Sequence, residues 1–217
     1  MRLLLIMSGF FFFVSCSDNA DTAKEPLTKD PVTAEEQAPE TSFTNSFPQL
    51  YDYFYSQDSS FRVDAFETGM ISQKTDTGFL MDKKEFNQYK PYLLFNADSS
   101  FALDLVSYNY IPSVRKGKKT MDEQGPDFET AIIDVKNMVR TRFLFFRSSG
   151  AAILDAAWQD SGNVLIAGAI DWQNADSLRP VLWKYHVHEK TLQQFNYPNM
   201  ISADWSNYKK KVYELNR

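Results

Sequence analysis

The two histidines of this 217-residue chain are His186 and His188. In an extended strand, alternate side chains leave on the same face, about 7 Å apart. Such an imidazole pair can ligate zinc, but catalytic zinc needs a third protein ligand and an open position. No spacing names that ligand, and Lys184 on the same face opposes a bound cation. The expectation is a wet strand face holding no metal. Carboxylates form two other groups. Asp127, Glu129 and Asp134 gather near the turn Gly125-Pro126-Asp127, and Asp155, Asp160 and Asp171 lie further on. A glycan hydrolase needs two carboxyls roughly 5–9 Å apart across a sugar. Tyr108 and Tyr110, on one strand face beside a long loop over 112–128, form a candidate binding surface with Arg115. No catalytic residue is assigned. There is no Gly-x-Ser-x-Gly elbow, phosphate loop or dinucleotide fingerprint, so no cofactor is expected.

These residues require strands to position them. Val164–Ile170 is apolar throughout, as a central strand covered on both faces is. Val181–His188 alternates, with Val181, Trp183, Tyr185 and Val187 on the buried side. Thr191–Tyr197 is its hairpin partner. Ala131–Val135 and Arg140–Phe146 make a similar pair about Lys136-Asn137-Met138, and Phe101–Ile111 reads as one more strand. Laid end to end, the strands form two similar units. The first runs through Tyr92–Phe95, Phe101–Leu105 and the hairpin 131–146. The second runs through Ile153–Trp158, Val164–Ile170 and the hairpin 181–197. Each resembles one blade of a β-propeller in strand order and turn chemistry. Two such units are too few to close a propeller. The fold expected is mainly β, antiparallel meanders forming two packed sheets or one curled sheet. Asp-Ser-Ser-Phe occurs at 58–61 and 98–101, and turn formation by Asp and Ser side chains explains it. Trp205, Tyr208, Val212 and Leu215 predict a C-terminal helix behind Ser202. Leu50, Tyr51, Phe54 and Tyr55 predict a short N-terminal one.

The chain is mildly acidic, with formal net charge −5. That balance disfavours a nucleic-acid surface, which needs clustered Lys and Arg. Residues 17–46 are polar and rich in Ser, Thr, Pro and acids, a composition that suits a tether. At the start, Met1-Arg2 supplies positive charge and Leu3–Phe13 is a short apolar run. Val14-Ser15-Cys16 follows, with the only cysteine of the chain. This is the pattern of a secretory signal, too short to span a bilayer, which needs roughly 20 apolar residues.

With cysteine at the cut, residues 1–16 resemble a bacterial lipoprotein signal, although Phe13 stands where that family usually has Leu. The resemblance implies a signal peptide over 1–15 and a diacylglycerol-bearing Cys16 as the new N-terminus. A tether over 16–46 and a single β-rich domain over 47–217 complete the expected organisation. The whole resembles the small lipoproteins of Bacteroidota-type bacteria. It implies a cell-envelope protein held at the outer membrane by lipid on Cys16. The function expected is non-enzymatic binding or structural support for a protein or glycan partner, with a glycan hydrolase using paired carboxylates as the alternative.

Overall fold

The computed structural model describes residues 40–74, 76–147, 151–173, 177–202 and 208. The signal-like segment, Cys16, most of the tether and all but Ser202 and Tyr208 of the expected C-terminal helix lie outside them. By contacts the chain divides into 1–34 and 35–217, and every described residue belongs to the second unit.

Two five-stranded antiparallel sheets form the frame. The first runs β1 (Glu67–Gln73), β12 (Thr191–Asn196), β11 (Ser177–His186), β10 (Asn163–Gln173), β9 (Ala151–Trp158) across its width. The second runs β2 (Phe79–Leu80), β8 (Val139–Phe146), β7 (Phe128–Asp134), β4 (Phe101–Asp104), β3 (Leu94–Phe95). The two four-strand units read from the sequence are these two sheets, and they pack as separate layers. Each also gains a fifth strand from the preceding segment, β1 beside β12 and β2 beside β8.

The seam between the sheets is aromatic. Phe143 stacks on Tyr185 with centroids 4.0 Å apart, and Phe146 meets Trp183 at 5.2 Å. Val181, Trp183 and Tyr185 of β11 join this core, as their alternation requires, and Val187 joins it from the turn just past the strand. The other face of the first sheet carries Leu165, Ala167, Leu182 and Phe195. It is covered by α1 (Glu40–Ser46), α2 (Pro48–Gln57) and a 3-10 turn at Val63–Ala65, through Phe43, Phe47, Leu50 and Phe54. Strand β10 is therefore sandwiched, and Val164, Leu165, Ile166, Ala167 and Ala169 are wholly buried.

Three expectations need correction. The tether stops short of residue 46, because Glu40–Ser46 is helical and Phe43 is fully buried. One large apolar residue in a polar run is enough to dock that turn. Phe101–Ile111 is not one strand. The Asp104 carboxylate accepts from the backbone N–H of Val106 at 3.0 Å and of Ser107 at 2.8 Å, which turns the chain out of β4. The loop over 112–128 is largely a hairpin, β5 (Tyr110–Arg115) and β6 (Lys118–Glu123). Its two turn residues, Lys116 and Gly117, have φ of +50° and +76°. That is the mirror-image turn that matches strand twist, and glycine takes its second position without strain.

Candidate binding surface

The second sheet turns one face away from the seam. Phe143 points to the first sheet, so its neighbours Arg140 and Arg142 lie on the opposite face. Ala131 pairs with both Asp104 and Arg142, which puts Asp104 on that face as well. Arg140 Nε donates to Asp104 Oδ2 at 2.7 Å, and Arg140 Nη1 donates to Glu129 Oε1. These three side chains are 4%, 0% and 6% exposed, so the pairs are desolvated. Burial works against the Arg140 charge, but the two carboxylates outweigh it and hold its pKa above the usual range. Helix α3 (Lys83–Tyr89) covers part of this face, started by Asp82 accepting from Lys84 N–H at 2.6 Å. Its Tyr89 phenol is pushed up by burial and then by the Asp104 charge.

The ion pairs run outward to solvent. Glu129 Oε2 is 3.6 Å from Arg142 Nη1, and Arg142 Nε is 3.3 Å from Asp76 Oδ2. Acid and base alternate through Asp104, Arg140, Glu129, Arg142 and Asp76. Where this chain surfaces, Arg142 lies over the Phe145 ring at 5.4 Å. Tyr108 meets the same ring edge-on at 5.7 Å. Arg142, Phe145 and Asp76 line an open groove of about 300 Å³ with Gln73 and Lys74.

Of the expected surface residues, only Tyr108 belongs to this site. Tyr108 is 47% exposed and Tyr110 is 8% exposed, so they do not share an open face. The cause is the turn after Asp104, in which Tyr110 N–H bonds Val106 O at 2.9 Å. Arg115 sits at the hairpin tip, paired with Asp122 at 2.7 Å. Five strand steps separate it from Tyr110, about 17 Å. The surface that does form contains Phe145 and Arg142, which alternation placed on a strand but could not aim.

The histidines lie on different elements. Strand β11 ends at His186, so strand alternation does not govern His188. His188 lies in the following turn and meets Phe101 edge to face, with ring centroids 5.5 Å apart. Among the described residues no cluster of three or more His, Cys, Asp or Glu could hold a metal. The candidate acids are engaged locally. Asp134 accepts from Asn137 N–H at 2.9 Å and Asp160 from Gly162 N–H at 2.8 Å, each closing a turn. Buried Asp155 accepts from Ala156 N–H at 2.9 Å and from the Tyr208 hydroxyl at 3.4 Å. Glu129 belongs to the ion chain, and the Asp171 side chain lies outside those described.

Fold and site together define an antiparallel β protein framed by two five-stranded sheets, with an aromatic surface at the outer end of a chain of ion pairs. No family model, curated protein or solved structure matches the chain.

Proposed function

We propose that this protein is a lipid-anchored component of the bacterial cell envelope, at the outer membrane. Its β domain serves as a non-enzymatic binding or structural module for a protein or glycan partner. The address rests on the charged start, short apolar run and single cysteine of residues 1–16. The module rests on one observation: the charged groups beside the groove are bound to each other. Asp104 and Glu129 both grip Arg140. Using either as an acid or nucleophile would strand a buried guanidinium, at a cost of about 3–5 kcal/mol. Exposed Tyr108 and Arg142 on a half-buried Phe145 instead have the composition of residues that anchor partners.

Two readouts test the two parts. Cys16→Ala is expected to move the protein from the carbonate-washed membrane pellet to the supernatant. If the variant still sediments, the anchor is wrong. A photo-crosslinking amino acid at position 108 is expected to trap one partner in intact cells, and Arg142→Glu to abolish the adduct. An adduct pattern unchanged by Arg142→Glu would count against the surface.

A further inference from the structure

A second groove lies on the far side of the first sheet, among the covering helices. Its volume is about 560 Å³, inside the range of roughly 300–1,000 Å³ typical of small-ligand sites. Tyr51 and Tyr55, one turn apart on α2, stack with centroids 6.0 Å apart and planes 14° apart. Phe61 closes the floor, 6.0 Å from Tyr51 and almost fully buried. Tyr55 is 49% exposed and forms the rim. Neither tyrosine hydroxyl has a hydrogen-bond partner among the described residues.

Beside the rings stands a bidentate ion pair. Arg62 Nε donates to Asp64 Oδ1 at 2.9 Å and Arg62 Nη2 to Asp64 Oδ2 at 2.6 Å. Their side chains are 71% and 42% exposed, so both face solvent. The Arg62 hydrogen bond holds the Asp64 carboxyl below the usual range, leaving it ionised at neutral pH.

We infer that this groove binds one pyranose ring of a neutral glycan. The inference rests on the binding-module reading above and names a site and ligand class for it. Charge is the first discriminator. The pair cancels, so an anionic ligand meets Asp64 and a cationic one meets Arg62 with no net attraction. Polarity is the second. A wholly apolar ligand would desolvate the pair without replacing its water, which is costly. A sugar ring answers both constraints. Its C–H face packs on aromatic rings, and its hydroxyl rim pairs with phenol, carboxylate and guanidinium groups. The acidic chain disfavours a nucleotide, whose base would also stack, because phosphate would be repelled.

The test is saturation-transfer NMR and calorimetry on the full-length protein. Cellotetraose, maltotetraose and tetra-N-acetylchitotetraose serve as neutral probes, with tetragalacturonate and uridine monophosphate as controls. At least one neutral probe is expected to bind with Kd below about 1 mM. Tyr55→Ala and Asp64→Asn are each expected to weaken it about tenfold without changing the melting temperature. Tyr55 is half exposed, so its truncation leaves the core intact. Absence of transfer to all three neutral probes overturns the site, as does undiminished binding by both variants or tighter binding of either control. Failure here with a partner still trapped at position 108 removes the groove alone. Failure of both removes the binding-module reading.

Discussion

The two sheets are built on one plan and stabilised differently. In the second sheet, Val135 N–H bonds Ser100 O at 3.0 Å, and in the first, Val187 N–H bonds Gly162 O at 2.8 Å. Each bond links the end of the third strand to the turn before the second. The following turns end on Met138 and Lys190, both at φ +53°. Each of those residues then accepts from the outer fifth-strand segment, Met138 from Met81 and Lys190 from Lys74, both at 2.8 Å. Even the facing is repeated. Phe101 lies on the face of its sheet turned to the seam, and its counterpart Asn163 on the face turned away. The sheets thus stack front to back in one sense, as successive propeller blades do, without closing.

What differs is the interior of the strand that follows the first turn. In β10, which runs from Asn163 to Gln173, the stretch 164–170 is apolar on both faces. In β4 it stops at Asp104, whose carboxylate turns the backbone aside and requires Arg140 for compensation. The β5–β6 hairpin enters at that break. One buried acid therefore shortens a strand, inserts a hairpin and leads an ion chain to the surface beside Tyr108. The matching position in β10 is Ile166, and that sheet stays plain.

The largest test of this contrast removes the compensating cation. Arg140→Ala leaves Asp104 and Glu129 buried and facing each other, and is expected to cost about 3–5 kcal/mol in urea unfolding. Arg140→Met combined with Asp104→Asn and Glu129→Gln should recover most of that loss, because no charge is left buried. A loss under about 1 kcal/mol for Arg140→Ala alone would mean that the ions do not stabilise each other as described.

The apolar sheet is breakable at one position. Gly168 lies on the seam face of β10, at a register shift against β9. A methyl group there would collide with the Ala152 carbonyl oxygen and stand 2.7 Å from the Trp183 ring. Gly168→Ala is expected to cost about 2–3 kcal/mol through overpacking. Measured beside an alanine at an exposed β1 site, it separates seam packing from strand propensity. Equal effects would show that β9 can slide to make room.

Much of the plan was legible because its signals are local. Asp58 and Asp98 each accept from the N–H two residues on, at 2.8 and 2.9 Å, so the repeated Asp-Ser-Ser string is turn chemistry. Alternation identified the buried face of β11 and the double cover of β10. Other features leave no local signal. Strand β1 is almost wholly exposed, so it has no apolar period to read. Lys116-Gly117 is a weak hairpin signal beside Pro112 and a run of charges. Asp104 and Glu129 meet Arg140 across 36 and 11 positions, through strand register alone. Register aimed Phe145 and Arg142, the turn after Asp104 brought Tyr108 to them and buried Tyr110, and the β5–β6 hairpin carried Arg115 away.

The smallest expected effect probes the seam that the two sheets share. Tyr185 belongs to the apolar sheet and stacks on Phe143 of the other. Burial first, and then the Asp76 charge, push its phenol up to about 12. In the unfolded chain a tyrosine titrates near pH 10. The unfolded state thus sheds its proton first as pH rises, and that favours unfolding. The contribution of Tyr185 is complete below about pH 10 and is lost as pH climbs toward the folded value of about 12. Tyr208 and Tyr89 shift in the same direction, so the alkaline decline is shared among the three. Tyr185→Phe is expected to be nearly neutral in urea midpoint at pH 7 and to flatten the fall above pH 10. The ring stack with Phe143 survives the change, so packing and titration are separated in one variant. If the two midpoint curves stay parallel to pH 12, the phenol is not kept protonated by the seam, and water reaches the space between the sheets.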